Sequence, residues 1–128
     1  MDEGTGADRV DLSELLEQFD GDRAVVCEIV EAYLLETREN LERLPERLAR
    51  GDAREVRRQA HTLGGTMRLF GVTTAEQLAR RLEHLAASGD LARAGELVSD
   101  LVAAARHVLP ELERFVASRA RPEVEHPG

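Results

Sequence analysis

The stretch Ala60-His61-Thr62-Leu63-Gly64-Gly65-Thr66-Met67-Arg68-Leu69-Phe70-Gly71 decides how this chain folds. Together with Val56 upstream, the apolar residues Ala60, Leu63, Met67 and Phe70 recur at the spacing of an amphipathic helix. At about 100° per residue, these five side chains form one stripe that faces a core. His61 then points about 140° away from the centre of that stripe, into water. Gly64 and Gly65 follow inside the helix, where each costs about 1 kcal/mol relative to alanine. A helix that exposes an imidazole and strips the side chains beside it is shaped for close approach by another macromolecule.

Working outward, the chain reads as helices separated by punctuation, with no convincing strand. Residues 1–8 are polar and glycine-containing and are expected to be mobile. Asp11 is placed to cap a short helix to about Phe19, with Glu14 completing a capping box. Asp20-Gly21-Asp22 breaks that run. A long helix follows to about Ala49, its stripe formed by Val26, Val30, Tyr33, Thr37, Leu41, Leu44 and Leu48, with a bend or break expected at Pro45. Gly51-Asp52 is a stop followed by a start, and Asp52 with Glu55 repeats the capping-box spacing. The His61 helix runs from there to about Phe70.

Gly71 ends it, and Thr73 with Glu76 is expected to open the next by the same chemistry, with Ala75, Leu78, Leu82 and Leu85 facing the core. Gly89-Asp90 closes that helix and starts the last one. This buries Leu97 or Val98, Leu101, Ala105, Val108 and Leu112, with a kink expected at Pro110 and a continuation to about Ser118. Residues 119–128 carry two prolines and mixed charge and read as a loose tail. The fold expected is all-α: an antiparallel up-down four-helix bundle over residues 9–118, with the extra short N-terminal helix as a lid on one end.

Composition narrows the function. The 128 residues suffice for one domain with a single core. Aromatics supply only 3% of them, so leucine, alanine and valine must carry that core. A formal net charge of −8 argues against general nucleic-acid binding, which needs a basic footprint. The single cysteine, Cys27, excludes an intrachain disulfide and a cysteine zinc cluster, and its apolar helical setting reads as a buried, inert thiol. His84 and His107 fall off their core stripes without special surroundings, and His126 belongs to the tail. No histidine pairs with another ligand at metal spacing, so no metal site is expected. With no bilayer-length apolar run and no signal-peptide pattern, a soluble, cytoplasmic protein is expected.

The run from His61 to Val72 resembles the signature of histidine-containing phosphotransfer (HPt) domains: His-x-Leu-Lys-Gly, small residues, then an apolar residue and glycine. The Gly51-Asp52 turn about ten residues before the histidine, the leucine-rich helix holding Leu82-Glu83 and the closing Gly89-Asp90 also fit, so that roughly residues 9–112 can be laid on the family's bundle. The resemblance implies that His61 accepts a phosphoryl group from a receiver-domain aspartate and passes it to another. The receiver would belong to a response regulator or a hybrid histidine kinase. By the same resemblance, Gly65 would let the partner's active-site loops come close. One departure stands out: the family's lysine is Gly64 here. Arg57 and Arg68 share the helical face of His61, and Arg54 and Arg58 flank it, so these arginines are the candidates for stabilising the phosphoryl group or docking the partner.

The residues suit that task. A neutral imidazole presents a nitrogen lone pair near neutral pH and can attack phosphorus without a separate strong base. Nearby guanidinium groups favour both the neutral ring and the anionic product. There is no Walker-type or kinase-type glycine loop and no constellation for tight Mg²⁺ binding, so donor and metal must both come from the partner: the chain reads as a carrier, not a kinase. Two alternatives differ in kind. One is an HPt-shaped module that docks a receiver without efficient transfer, suggested by Gly64. The other is a purely structural helical bundle.

Overall fold

The structure, a computed structural model, describes residues 9–120. The expectations for residues 1–8, for most of the C-terminal tail and for His126 lie outside the described residues. Five α-helices follow one another: α1 (Ser13–Gln18), α2 (Arg23–Ala49), α3 (Ala53–Leu69), α4 (Thr73–Ala87) and α5 (Ala94–Ala117), then a 3₁₀ turn over Ser118–Ala120. Contacts join α2 to α3, α3 to α4, α4 to α5 and α5 back to α2, so the four long helices close a ring. Short connections make neighbours antiparallel. The chain is an all-α four-helix bundle with an extra short N-terminal helix.

The punctuation acts locally as its chemistry dictates. Gly51 takes φ +70, a left-handed conformation that ends α2, and the Asp52 carboxylate accepts from the Glu55 amide at 3.2 Å to start α3. Two other expected caps do not form. Asp11 stands two residues before α1, where its Oδ1 accepts from the Ser13 amide at 3.0 Å and from the Ser13 hydroxyl at 2.7 Å. The hydroxyl bond holds the Asp11 carboxyl below its ordinary pKa. Thr73 is already helical, and the cap position falls on Val72 because that side chain is drawn fully into the core. The last helix starts at Ala94, not at Asp90, whose carboxylate instead accepts from the Ala92 amide.

Val56, Ala60, Leu63, Met67 and Phe70 are all fully buried, as the α3 stripe requires. On α2 the core takes Leu34 in place of Tyr33, whose ring lies at the rim, edge-on to Phe70, with 37% of the residue exposed. That position buries ring carbons and leaves the hydroxyl near water. On α4 the stripe turns from Leu78 and Leu85, which are half-buried, to Ala79 and Ala86. The reason is close helix approach: a Cβ placed on Gly64 would meet the Ala79 Cβ at 3.4 Å, so α3 and α4 touch through small residues. The Cys27 thiol is fully buried and donates to the Phe115 carbonyl.

Neither proline breaks its helix. α2 runs unbroken through Pro45 and α5 through Pro110, both on solvent-facing positions where packing holds the helix despite one missing backbone bond. Arg119, expected in the loose tail, instead pairs with Glu31 of α2 at 2.8 Å. The chain before α1 is strapped across the far end of the bundle: the Asp11 amide donates to the Phe70 carbonyl at 2.8 Å and the Val10 amide to Glu111 of α5 at 3.2 Å.

One core position carries an avoidable cost. Gln59 is 6% exposed, and its buried Oε1 has no partner among the described residues. An unpaired buried acceptor costs about 1–3 kcal/mol. Gln59→Leu is therefore expected to raise the unfolding free energy by about 1 kcal/mol, measurable by urea denaturation.

Candidate functional site

The bundle sets α3 with one face outward, and His61 stands near the middle of it with 72% of its side chain exposed. Arg54, Arg57, Arg58, Gly65 and Arg68 are exposed on the same helix. Gly65 has nothing within 4 Å of where a Cβ would sit, so the surface beside the imidazole is bare. Gly64 differs from its neighbour. It is buried against Ala79 and Arg80 of α4, so it belongs to the helix–helix contact and not to the open surface where the sequence reading placed it.

Antiparallel packing around the α3–α4 turn brings residues equidistant from Val72 together. Gly64 thus meets Arg80, and His61 meets Glu83. The His61 Nδ1 lies 2.9 Å from Glu83 Oε2, and Glu83 is only 25% exposed because its neighbour Leu82 is anchored in the core. A carboxylate can only accept, so Nδ1 carries the hydrogen and donates it. The tautomer is thereby chosen: the lone pair of the neutral ring sits on Nε2, away from the contact with Glu83. Glu83 is the residue that sequence reasoning missed as a partner. Its signal was present in the symmetry of the hairpin about Val72, but only once α4 was known to lie directly against α3.

The arginines divide into two kinds. Arg58 grips Glu55 with two hydrogen bonds, at 3.2 and 2.9 Å. This holds the Glu55 carboxyl below its ordinary pKa and raises that of Arg58. The Arg58 guanidinium is therefore already engaged with Glu55 on the exposed face of α3. Arg54, Arg57 and Arg68 make no ion pair among the described residues. Arg54, Arg57, Arg58, His61 and Glu83 line one shallow depression, and Arg57 and Glu83 also line the next, with Arg80, His84 and Ala87 of α4. The chain contains no lysine; all 17 of its basic residues are arginine.

The arrangement offers a nucleophilic nitrogen with its tautomer fixed, bare ground on one side and unpaired guanidinium groups on the other. Among the described residues no group of three or more His, Cys, Asp or Glu is placed to hold a metal ion, and no helix is long and apolar enough to cross a membrane. Compared with known proteins, the chain matches the family model described as Hpt domain over residues 28–121, which runs from within α2 through α5 and covers the whole of this site. No curated protein and no solved structure matches it. A bundle of this architecture, matched over most of its length, places the chain in the Hpt domain family, whose members serve phosphotransfer in two-component signalling.

Proposed function

We propose that the chain is a phosphoryl carrier that shuttles the group between receiver-domain aspartates through phospho-His61. The observation that carries this reading is the exposed imidazole held by Glu83 through Nδ1. In the step proposed, Nε2 attacks the phosphorus of an aspartyl phosphate on the partner. The Nε2–P bond forms as the P–O bond to the aspartate breaks, and the aspartate leaves as a carboxylate. No proton has to move. Nδ1 keeps its hydrogen, and the ring becomes a cation whose charge the Glu83 carboxylate offsets. The receiver supplies the phosphoryl group and the Mg²⁺ that its own carboxylates hold. The partner's loops reach the phosphorus over Gly65. The setting proposed is cytoplasmic, with a response regulator or hybrid kinase as the receiver's owner.

Incubation with a phosphorylated receiver domain and Mg²⁺ tests this. Acid-labile label is expected to pass to the chain. Receiver binding without label would favour the docking-module reading that Gly64, in place of the family lysine, suggests. No binding at all would leave a structural bundle. Glu83 has its own test. Glu83→Ala removes a charge-assisted bond of about 1.5–3 kcal/mol, so transfer to His61 is expected to slow about 10- to 100-fold. In Glu83→Gln the amide oxygen still accepts from Nδ1 but lacks the charge, so its rate should fall between the two. Stopped-flow or quench-flow transfer kinetics measure both.

A further inference from the structure

A phosphoryl group arriving on His61 brings about two negative charges at neutral pH, and something near the imidazole has to meet them. Position 64, where the family resemblance puts a lysine, is a glycine, and no lysine exists elsewhere to take over. The candidates are the exposed arginines of α3, and their surroundings rank them. Arg58 is spent on Glu55. Arg68 lies two helical turns beyond His61, on the far side of Gly65, where an approaching partner would sit. Arg57 lies one turn before His61 on the same face, without an ion pair, and borders both the depression lined by the imidazole and Glu83 and the next one, which Glu83 also lines. Arg54 lies about one turn before Arg57 on the same side of the helix, without an ion pair and in the same depression as His61.

We propose that Arg57, reinforced by Arg54, grips the phosphoryl oxygens on His61, so that this chain meets the group from the turn before the histidine. The proposal rests on the reading of His61 as acceptor. A guanidinium in that place does more than a point charge, because its planar fork can bond two oxygens at once and orient the group. It also gives the site two sides: the grip comes from the N-terminal side of His61, and the open ground at Gly65 is left for the partner.

The test uses phosphoramidate, a small donor that needs no partner protein. His61 Nε2 attacks its phosphorus, the Nε2–P bond forms, the P–N bond of the donor breaks, and ammonia leaves with the electron pair. Phosphorylation of the full chain is followed by ³¹P NMR, and transfer from a phosphorylated receiver is measured in parallel. Arg57→Ala is expected to slow labelling by phosphoramidate about tenfold. Arg57→Lys should fall between that variant and the wild type. Arg106→Ala, which removes an equal charge from an exposed position on α5, should keep the wild-type rate. Thermal unfolding of each variant confirms that it is folded.

Wild-type labelling in Arg57→Ala would overturn the proposal, as would equal slowing in Arg106→Ala, which would reduce the effect to net charge. A wild-type chain labelled by the receiver but not by phosphoramidate would place the counter-charge in the partner and also overturn it. If phosphoramidate labels His61 and the receiver does not, the carrier reading fails while the Arg57 comparison still stands or falls on its own rates. If neither donor labels the chain, both ideas fall together.

Discussion

His61→Gln is expected to abolish acid-labile phosphorylation by a receiver domain while leaving the fold intact. The substitution removes the one nitrogen lone pair that the site presents to solvent. It keeps an N–H that can still donate to Glu83 Oε2, so the α3–α4 contact survives the change. Because the side chain is 72% exposed, loss of the ring removes little packing, and the unfolding free energy should move by no more than about 0.5 kcal/mol. Activity and stability therefore separate in a single variant. Gel-based transfer assays read the first and urea denaturation the second. Label persisting on His61→Gln would assign the chemistry to another residue; among the other histidines described, His84 is the one that lines the neighbouring depression with Arg57 and Glu83.

Gly71→Ala is expected to destabilise the bundle by about 3 kcal/mol, and the reasons are local. Gly71 holds φ +72, where a residue with a Cβ pays about 1–2 kcal/mol. The added Cβ would also stand 2.6 Å from the Asp11 carbonyl oxygen and 2.8 Å from the Asp11 Cβ. Both belong to a backbone segment pinned by the bond from the Asp11 amide to the Phe70 carbonyl. The clash forces that strap off the end of the bundle, which costs the hydrogen bond and uncovers the buried Leu12 and Leu15. Gly51→Ala is the control. Its φ of +70 is equally unfavourable, but nothing lies within 4 Å, so it should lose only the backbone part, about 1–2 kcal/mol. The difference between the two variants in chemical denaturation isolates what the strap contributes.

Much of this architecture could be read from residue spacing, and the places where it could not have physical causes. The α3 stripe was legible because five apolar residues agree on one period and meet a deep core from a single side. On α4, Ala75 and Leu82 were legible, but leucine outweighs alanine in any hydrophobic pattern, and the close approach at Gly64 favours the smaller Ala79 over Leu78 at the centre of the stripe. The helix starts at Asp11 and Thr73 failed for a related reason: burial of Val72 and the Asx turn at Ser13 compete with side-chain capping, and tertiary packing decides. Pro45 and Pro110 do not end their helices, since long helices packed on both sides tolerate one lost backbone bond at a solvent-facing position.

The site shows the same division. The exposure of His61, the bareness of Gly65 and the presence of arginine around them follow from one helix and its wheel. Which arginine is free depends on where Glu55 points, and a helical wheel shows only that Arg58 is within its reach. The contact with Glu83 needs the register of two helices, and that register is set by the Gly71 turn and the Gly64–Ala79 approach, not by any short motif. Tautomer control, the feature on which the chemistry turns, is therefore a property of the packed bundle.

A single spectroscopic measurement reaches that feature directly. The chain, labelled with ¹⁵N at histidine and phosphorylated by a receiver domain, can be examined by ³¹P–¹⁵N correlated NMR. Phosphorus bonded to Nε2 of His61, with the hydrogen retained on Nδ1, is the result expected from a ring held by Glu83. Phosphorus on Nδ1, or on any other residue, would contradict it.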